Sequence, residues 1–247
     1  MKFWPVFCQG DLMNTGIWSS MRPADCLPEC WCEAAREGAI ILEPFNTWTN
    51  LAYTLLGILI LKQFIKVKNY KLENDIYENP FYTRVFAFAM IFLGAGSFFF
   101  HMSQTFLGQW ADLVGMYMVT GFYIVYLSHL LKKMSQTSFL SLYLLMVSVL
   151  AVCTWFYPEG RRAMFGFTIA IMLIQLLYVF KKSSLRFQAK YLGLGAGLFI
   201  LGQVVWNLDR MRIVCDPYGA INGHGIWHIL SALGAYFIFK FLATQKR

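Results

Sequence analysis

Three of the four histidines in this 247-residue chain stand at the ends of apolar segments: His101 closes Ser97-Phe98-Phe99-Phe100-His101, and two more occupy His224-Gly225-Ile226-Trp227-His228. Ionisable side chains within membrane-scale apolar runs are costly and mark function. Two histidines four apart share a helix face, where both imidazoles can reach one ion. Three neutral imidazoles would leave the fourth position of a tetrahedral zinc ion to water, and zinc brings the pKa of such a water to about 7. Asp112, in Gln109-Trp110-Ala111-Asp112-Leu113, is the one acidic residue of 13 that lies clearly inside an apolar stretch. An unpaired carboxylate there costs roughly 2.5 to 3.5 kcal/mol even on the lenient insertion scale, so Asp112 should face a partner or a wet cavity. It could take the water's proton and return it to a leaving group. Ser97, one turn before His101, is placed to donate to the oxyanion of a tetrahedral intermediate. The set points to amide or ester hydrolysis of a lipid.

The elements that position these residues are apolar helices. The chain is 58% hydrophobic and 14% charged, outside the range of a soluble domain. The fold class expected is all-α, an integral membrane bundle of seven transmembrane helices. Seven stretches are long enough for a hydrocarbon core of about 30 Å: Phe45 to Leu61, Val85 to His101, Gln109 to Leu131, Phe139 to Tyr157, Met164 to Phe180, Tyr191 to Leu208 and Asn222 to Ala243. The net charge of +8 is explained by its placement between spans rather than by nucleic acid. Fourteen Lys and Arg fall on one side (Lys62, Lys66, Lys68, Lys71, Arg84, Lys132, Lys133, Lys181, Lys182, Arg186, Lys190, Lys240, Lys246 and Arg247) and seven on the other (Lys2, Arg22, Arg36, Arg161, Arg162, Arg210 and Arg212). That bias puts the N-terminus outside or lumenal and the C-terminus in the cytosol. In this topology His101, Asp112, His224 and His228 share one depth near the outer leaflet, with Gly108 in the turn between the second and third spans.

Residues 1–44 read as an extracytoplasmic N-terminal cap and 45–247 as the helical hydrolase domain. The first 15 residues hold no apolar core of signal-peptide length, so a removed presequence is not expected. Five of six cysteines, Cys8, Cys26, Cys30, Cys32 and Cys215, face the side where disulfides persist, with Cys153 inside the fourth span. Spacing alone leaves their pairing open. No Asn-x-Ser/Thr acceptor occurs, which favours a bacterial inner membrane over an ER or Golgi membrane.

Each residue also has a plainer reading. His129 has no companion and is read as a polar rim residue. His224 and His228 could be a structural pair, Ser97 a packing residue and Asp112 a proton relay. Asn46 and Asn50 are read as interhelical hydrogen-bonding residues, Trp110, Trp206 and Trp227 as an aromatic belt, and the glycines of Gly94-Ala95-Gly96 and Gly193-Leu194-Gly195-Ala196-Gly197 as close helix contacts. The shared depth of the histidines, Asp112 and Ser97 favours the metal site.

These residues resemble the alkaline ceramidase family, part of a superfamily of seven-helix membrane hydrolases that includes the adiponectin receptors. The anchors are Trp31-Cys32-Glu33, Glu43-Pro44-Phe45-Asn46-Thr47 with Asn50, Gly96-Ser97-x-x-x-His101-Met102, Gln109-x-x-Asp112, Trp206-Asn207-x-Asp209 and His224-x-x-Trp227-His228-Ile229-Leu230. The resemblance implies zinc held by His101, His224 and His228, catalytic roles for Asp112 and Ser97, and cleavage of ceramide, a membrane lipid, to a sphingoid base and a fatty acid, with no obligate protein partner. It implies a disulfide between Cys32 and Cys215. It also implies a calcium site, of which Trp31, Glu33 and Glu43 remain; Cys30 and Ala35 stand where two oxygen donors are expected, so calcium binding should be weak or absent. Related alternatives are hydrolysis of another N-acyl or ester lipid, and a receptor or scaffold with structural zinc.

Overall fold

The computed structural model describes residues 16–26, 30–65 and 74–246. Cys8, Lys2, Lys66, Lys68, Lys71 and Arg247 lie outside them. The described residues form α1 (Pro44–Thr49), α2 (Leu51–Ile65), α3 (Asp75–Glu78), α4 (Pro80–Ser103), α5 (Phe106–Leu131), α6 (Gln136–Phe156), α7 (Arg161–Lys182), α8 (Ala189–Arg210) and α9 (Gly223–Leu242). Among them there is no strand, only isolated bridges joining Pro23 to Thr105 and Arg186 to Lys246. Among the described residues six helices are long and apolar enough to cross a membrane: α4, α5, α6, α8, α9 and the run Pro158–Lys182 that contains α7. The chain is a multi-pass membrane protein. The first expected span is divided: α1 and α2 follow each other across Asn50, whose φ of −66° and ψ of −19° remain right-handed helical.

The long helices reach beyond the expected apolar limits because polar caps extend them. Asn79 caps α4 by accepting from the amide of Phe81 at 3.1 Å, with Pro80 as the first helical residue. The link from α4 to α5 is shorter than expected. Gln104 takes the left-handed region (φ 48°, ψ 33°), and the Thr105 hydroxyl accepts from the amide of Gly108 at 3.2 Å. Gly108 therefore lies in the first turn of α5 and not in the connection; a Cβ there would come within 2.7 Å of the Phe100 Cα.

Lipid tails are as apolar as the side chains, so close packing rather than water exclusion holds the helices together. Around Phe122, the rings of Phe86 and Phe239 stack at 4.6 Å and 5°, joining α4, α5 and α9. Nearer the cap, Gly96 lets α4 press on α5, since a Cβ would lie 2.8 Å from the Ala111 carbonyl. That contact sets Ser97 beside the turn of α5 that carries Asp112. The two glycine runs do not behave alike: Gly195 abuts α9, whereas Gly193 and Gly197 face open space.

The cap is laced to the same end of the bundle. The amides of Ala24 and Leu42 donate to the carbonyls of Gln104 and Met102, and the amide of Phe106 donates to the Arg22 carbonyl. Disulfides join Cys26 to Cys30 and Cys32 to Cys215. The latter closes a separation of 183 residues, worth about 5 kcal/mol on the chain-entropy account, whose mechanism is model-dependent.

Candidate active site

His101 in the last turn of α4 and His224 and His228 in the first turns of α9 converge in the bundle, with ligand atoms within 4.8 Å of one another. All three are buried. Nε2 of His101 lies 3.2 Å from Nε2 of His224, and the His224 and His228 rings are 4.5 Å apart.

Hydrogen bonds behind the rings decide which nitrogens face inward. Nδ1 of His101 is 2.5 Å from Oε2 of Glu43. That carboxylate also accepts from Nδ2 of Asn46 at 3.1 Å and, through Oε1, from Nε2 of Gln104 at 2.5 Å. An oxygen pair occupied by amide donors acts as acceptor toward the ring, so Nδ1 carries the proton and Nε2 offers its lone pair. At His228, Nδ1 lies 3.0 Å from the Thr49 hydroxyl. That hydroxyl has one proton, placed toward the carbonyls of Phe45 and Asn46, so it accepts from Nδ1 and turns the Nε2 lone pair inward. Buried imidazoles whose lone pairs converge are a donor set that fits a divalent cation of the zinc type.

The start of α9 is fixed by acids. Asp209, 1% exposed, accepts from the amides of Cys32 and His224 at 3.0 Å each, and the amide of Gly223 also points to it. One carboxylate thus ties α8, the disulfide-linked cap and the positive end of α9 together. Asn222 caps α9 through the amide of Gly225 at 2.9 Å and donates to Glu33 at 3.1 Å. Glu33 accepts from the amides of Phe45 and Asn46 at 2.9 and 2.8 Å, capping α1 from outside; burial pushes its carboxyl above the ordinary value, against these two amides, which lower it. Trp31 stacks on His224 at 3.7 Å and 14°. The calcium-type residues Trp31, Glu33 and Glu43 therefore serve the histidines and the helix starts.

Ser97, His224, His228 and a half-buried Asp112 line one cavity of about 290 Å³, where the Ser97 side chain stands beside the Asp112 carboxylate. Tyr53, Leu93, Met116, Phe165, Gln203 and Trp227 line both this cavity and a larger apolar one of about 440 Å³. The apolar cavity extends to Phe241 near the far end of α9, between α7 and α8, which scarcely touch.

Several single-residue readings change. His129 is buried, not at a rim: its Nδ1 accepts from the Met134 amide at 3.1 Å, and its Nε2 lies 3.3 Å from both Tyr82 Oη and Asp75 Oδ2. Asn46 and Asn50 bond locally, Asn46 to Glu43 and Asn50 to the Asn46 carbonyl, rather than between helices. Trp206 and Trp227 line the cavity, while Trp110 donates to the Ala151 carbonyl at 2.9 Å. Sequence reasoning missed Thr49, Gln104 and Tyr53, and gave Asp209 no role. Their only signal was polarity at the ends of apolar runs.

Helices that gather three histidines and bring two of them to one cavity with a carboxylate and a serine define a membrane protein of a recognisable class. Residues 30–246 match the family model described as Ceramidase, and the chain belongs to the ceramidase family. It is similar to alkaline ceramidase 3 of mouse, at 25% identity over 227 residues, which cover 83% of this chain and 79% of that relative.

Proposed function

We propose that the chain is a zinc-dependent amidase acting within the membrane, which hydrolyses ceramide to a sphingoid base and a fatty acid. The observation that carries this reading is the cavity lined by His224, His228, Ser97 and Asp112, which shares a wall with a larger apolar cavity. Zinc held by His101, His224 and His228 would supply a Lewis acid that polarises the amide carbonyl and activates water at neutral pH. Asp112 takes the proton of the attacking water and passes it to the departing amine. The Ser97 hydroxyl donates to the oxygen that gains charge. The apolar cavity receives the hydrocarbon of the lipid, and membership of the ceramidase family supports the choice of ceramide.

The same reading counts α1 and α2 as one span, giving seven helices, with 1–44 as an outer cap over the hydrolase domain of 45–247. Pro44–Ile65 is helical save at Asn50 and long enough for a core of about 30 Å. Both disulfides sit at the cap end, which supports an outer or lumenal N-terminus and a cytosolic C-terminus. The membrane is a bacterial inner membrane, or an ER or Golgi membrane if the source is eukaryotic. Calcium has no role in this scheme, because Glu33 and Glu43 are committed to protein donors.

A metal assay of purified protein, combined with hydrolysis of ceramides of varied acyl chain, tests the proposal. About one zinc per chain is expected, with zinc and activity both lost in His228→Ala. Full zinc retention by that variant would remove the ligand assignment.

A further inference from the structure

The cavity lined by His224 and His228 carries two arginines that the hydrolytic chemistry does not use. Arg161 and Arg162 open α7 and line the cavity together with Trp31, Trp206, Cys26 and Cys30. At the end of α8, the Arg210 guanidinium lies 5.3 Å from the Trp206 ring centroid. Arg162 is near enough to both Arg161 and Arg210 for the like charges to repel. Among the described residues the ion pairs involve Arg22, His101, His129 and Lys133, so none of these three arginines reaches a carboxylate within salt-bridge distance. One Arg161 N–H donates to the Pro158 carbonyl at 2.8 Å. The side chain of Arg162 has no protein acceptor among the described residues.

A second observation on the same wall is independent of charge. Among the described residues the indole Nε1 of Trp31 is buried without an acceptor, and so is Nδ1 of His224, the ring stacked upon it. With Nε2 of His224 turned to the other histidines, its Nδ1 is a donor. Asp112, the one carboxylate among the lining residues, is engaged by Ser97. This part of the cavity is therefore lined by a half-buried Arg161 and an exposed Arg162, with two orphaned ring donors behind its surface. Orphaned buried donors are costly, and guanidinium forks match the oxygens of phosphate in charge and shape.

We infer that this wall binds a phosphate ester on the headgroup of the lipid substrate, so that the chain acts preferentially on ceramides phosphorylated at the headgroup hydroxyl. The inference rests on the amidase reading, in which the amide sits at the histidines and the hydrocarbon runs into the apolar cavity. The headgroup is then left beside Trp31, Arg161 and Arg162. The reaction is unchanged: water is added across the amide C–N bond, the carboxylate leaves with the acyl chain, and the phosphate ester stays intact on the amine product.

The test compares purified protein with the Arg161→Gln/Arg162→Gln double variant, using ceramide and ceramide 1-phosphate of identical chains in the same detergent. Two measurements are made: the lipid-induced shift in melting temperature, which needs no turnover, and kcat/KM. Expected are a larger stabilisation by the phosphorylated lipid and a kcat/KM preference of about tenfold or more, both collapsing in the double variant. Equal stabilisation by the two lipids would overturn the inference while leaving neutral ceramide hydrolysis, and with it the amidase reading, intact. Hydrolysis of neither lipid, with selective stabilisation by the phosphorylated one, would keep the phosphate site and sink the amidase reading. Two further arms separate the source of the phosphate. Equal stabilisation by dioleoyl phosphatidic acid would identify a site for bulk lipid, and equal stabilisation by inorganic phosphate a site for the free ion; either overturns the assignment to substrate.

Discussion

Glu43 and His101, 58 residues apart in sequence, are joined twice: the His101 ring meets the Glu43 carboxylate at 2.5 Å, and the Glu43 amide donates to the His101 carbonyl at 3.1 Å. The side-chain bond orients the ring; the main-chain bond fixes the cap to the end of α4. Partners behind a histidine ligand set its tautomer and basicity, and their loss typically costs 10- to 100-fold in metal affinity. Glu43→Gln should weaken zinc binding by about that factor, measured by competition with a chromophoric chelator. Undiminished affinity would make the contact one of packing alone. Addition or chelation of calcium should leave the activity of the unaltered protein unchanged.

Asp112 and Ser97 line the cavity beside His224 and His228 but are not among the proposed metal ligands, so their loss should separate binding from turnover. Asp112→Asn is expected to retain zinc and lose about 10²- to 10⁴-fold in kcat. Ser97→Ala should lose about 10- to 10³-fold in kcat with little change in KM. A serine variant at full rate would return Ser97 to packing between α4 and α5.

Asp209 receives three amides from two places, the cap and the start of α9, so its role is mechanical. Asp209→Asn removes one acceptor and the charge facing the start of α9. It should cost about 1 to 3 kcal/mol and lower the melting temperature in detergent. The loss should persist in protein stripped of zinc, which distinguishes the clamp from an effect on the metal.

Acid stability should reflect Asp75, at the opposite end of the bundle. Hydrogen bonding from His129, then from Lys133, holds its carboxyl at about 2, against burial, which raises it. An acid whose folded value is depressed stabilises the protein above its unfolded value of about 4, and that contribution fades as pH falls from there to about 2. Asp75→Asn should therefore lower the denaturation midpoint at pH 7, with the difference shrinking steadily below pH 4. A gap that stays constant down to pH 2 would exclude this linkage.

The long helices are legible because apolar runs with few charges announce themselves, and the three histidines because four such residues in a greasy chain are conspicuous. The geometry around them is not. Nothing local to Glu43 says that it reaches His101, and its place in a calcium-like pattern pointed elsewhere. Asp209 reads as an ordinary acid at a span end until the loop behind it folds back and brings the α9 amides to it. Thr49 looks like any helical threonine, since hydroxyls bond to their own backbone in most helices; only the approach of α9 gives it a ring to orient. The division of the first span at Asn50 escapes hydropathy because both sides remain apolar.

The bridge from Cys32 to Cys215 has a consequence for biosynthesis. Its first sulfur is made early and its second only after α8, just ahead of the helix that carries His224 and His228. A chain emerging in order can close this bridge only after α8 has been made, and can gather its three imidazoles only once α9 follows. Partly synthesised molecules are thereby kept without the complete histidine set, and the covalent closure of the cap falls just before that set is completed.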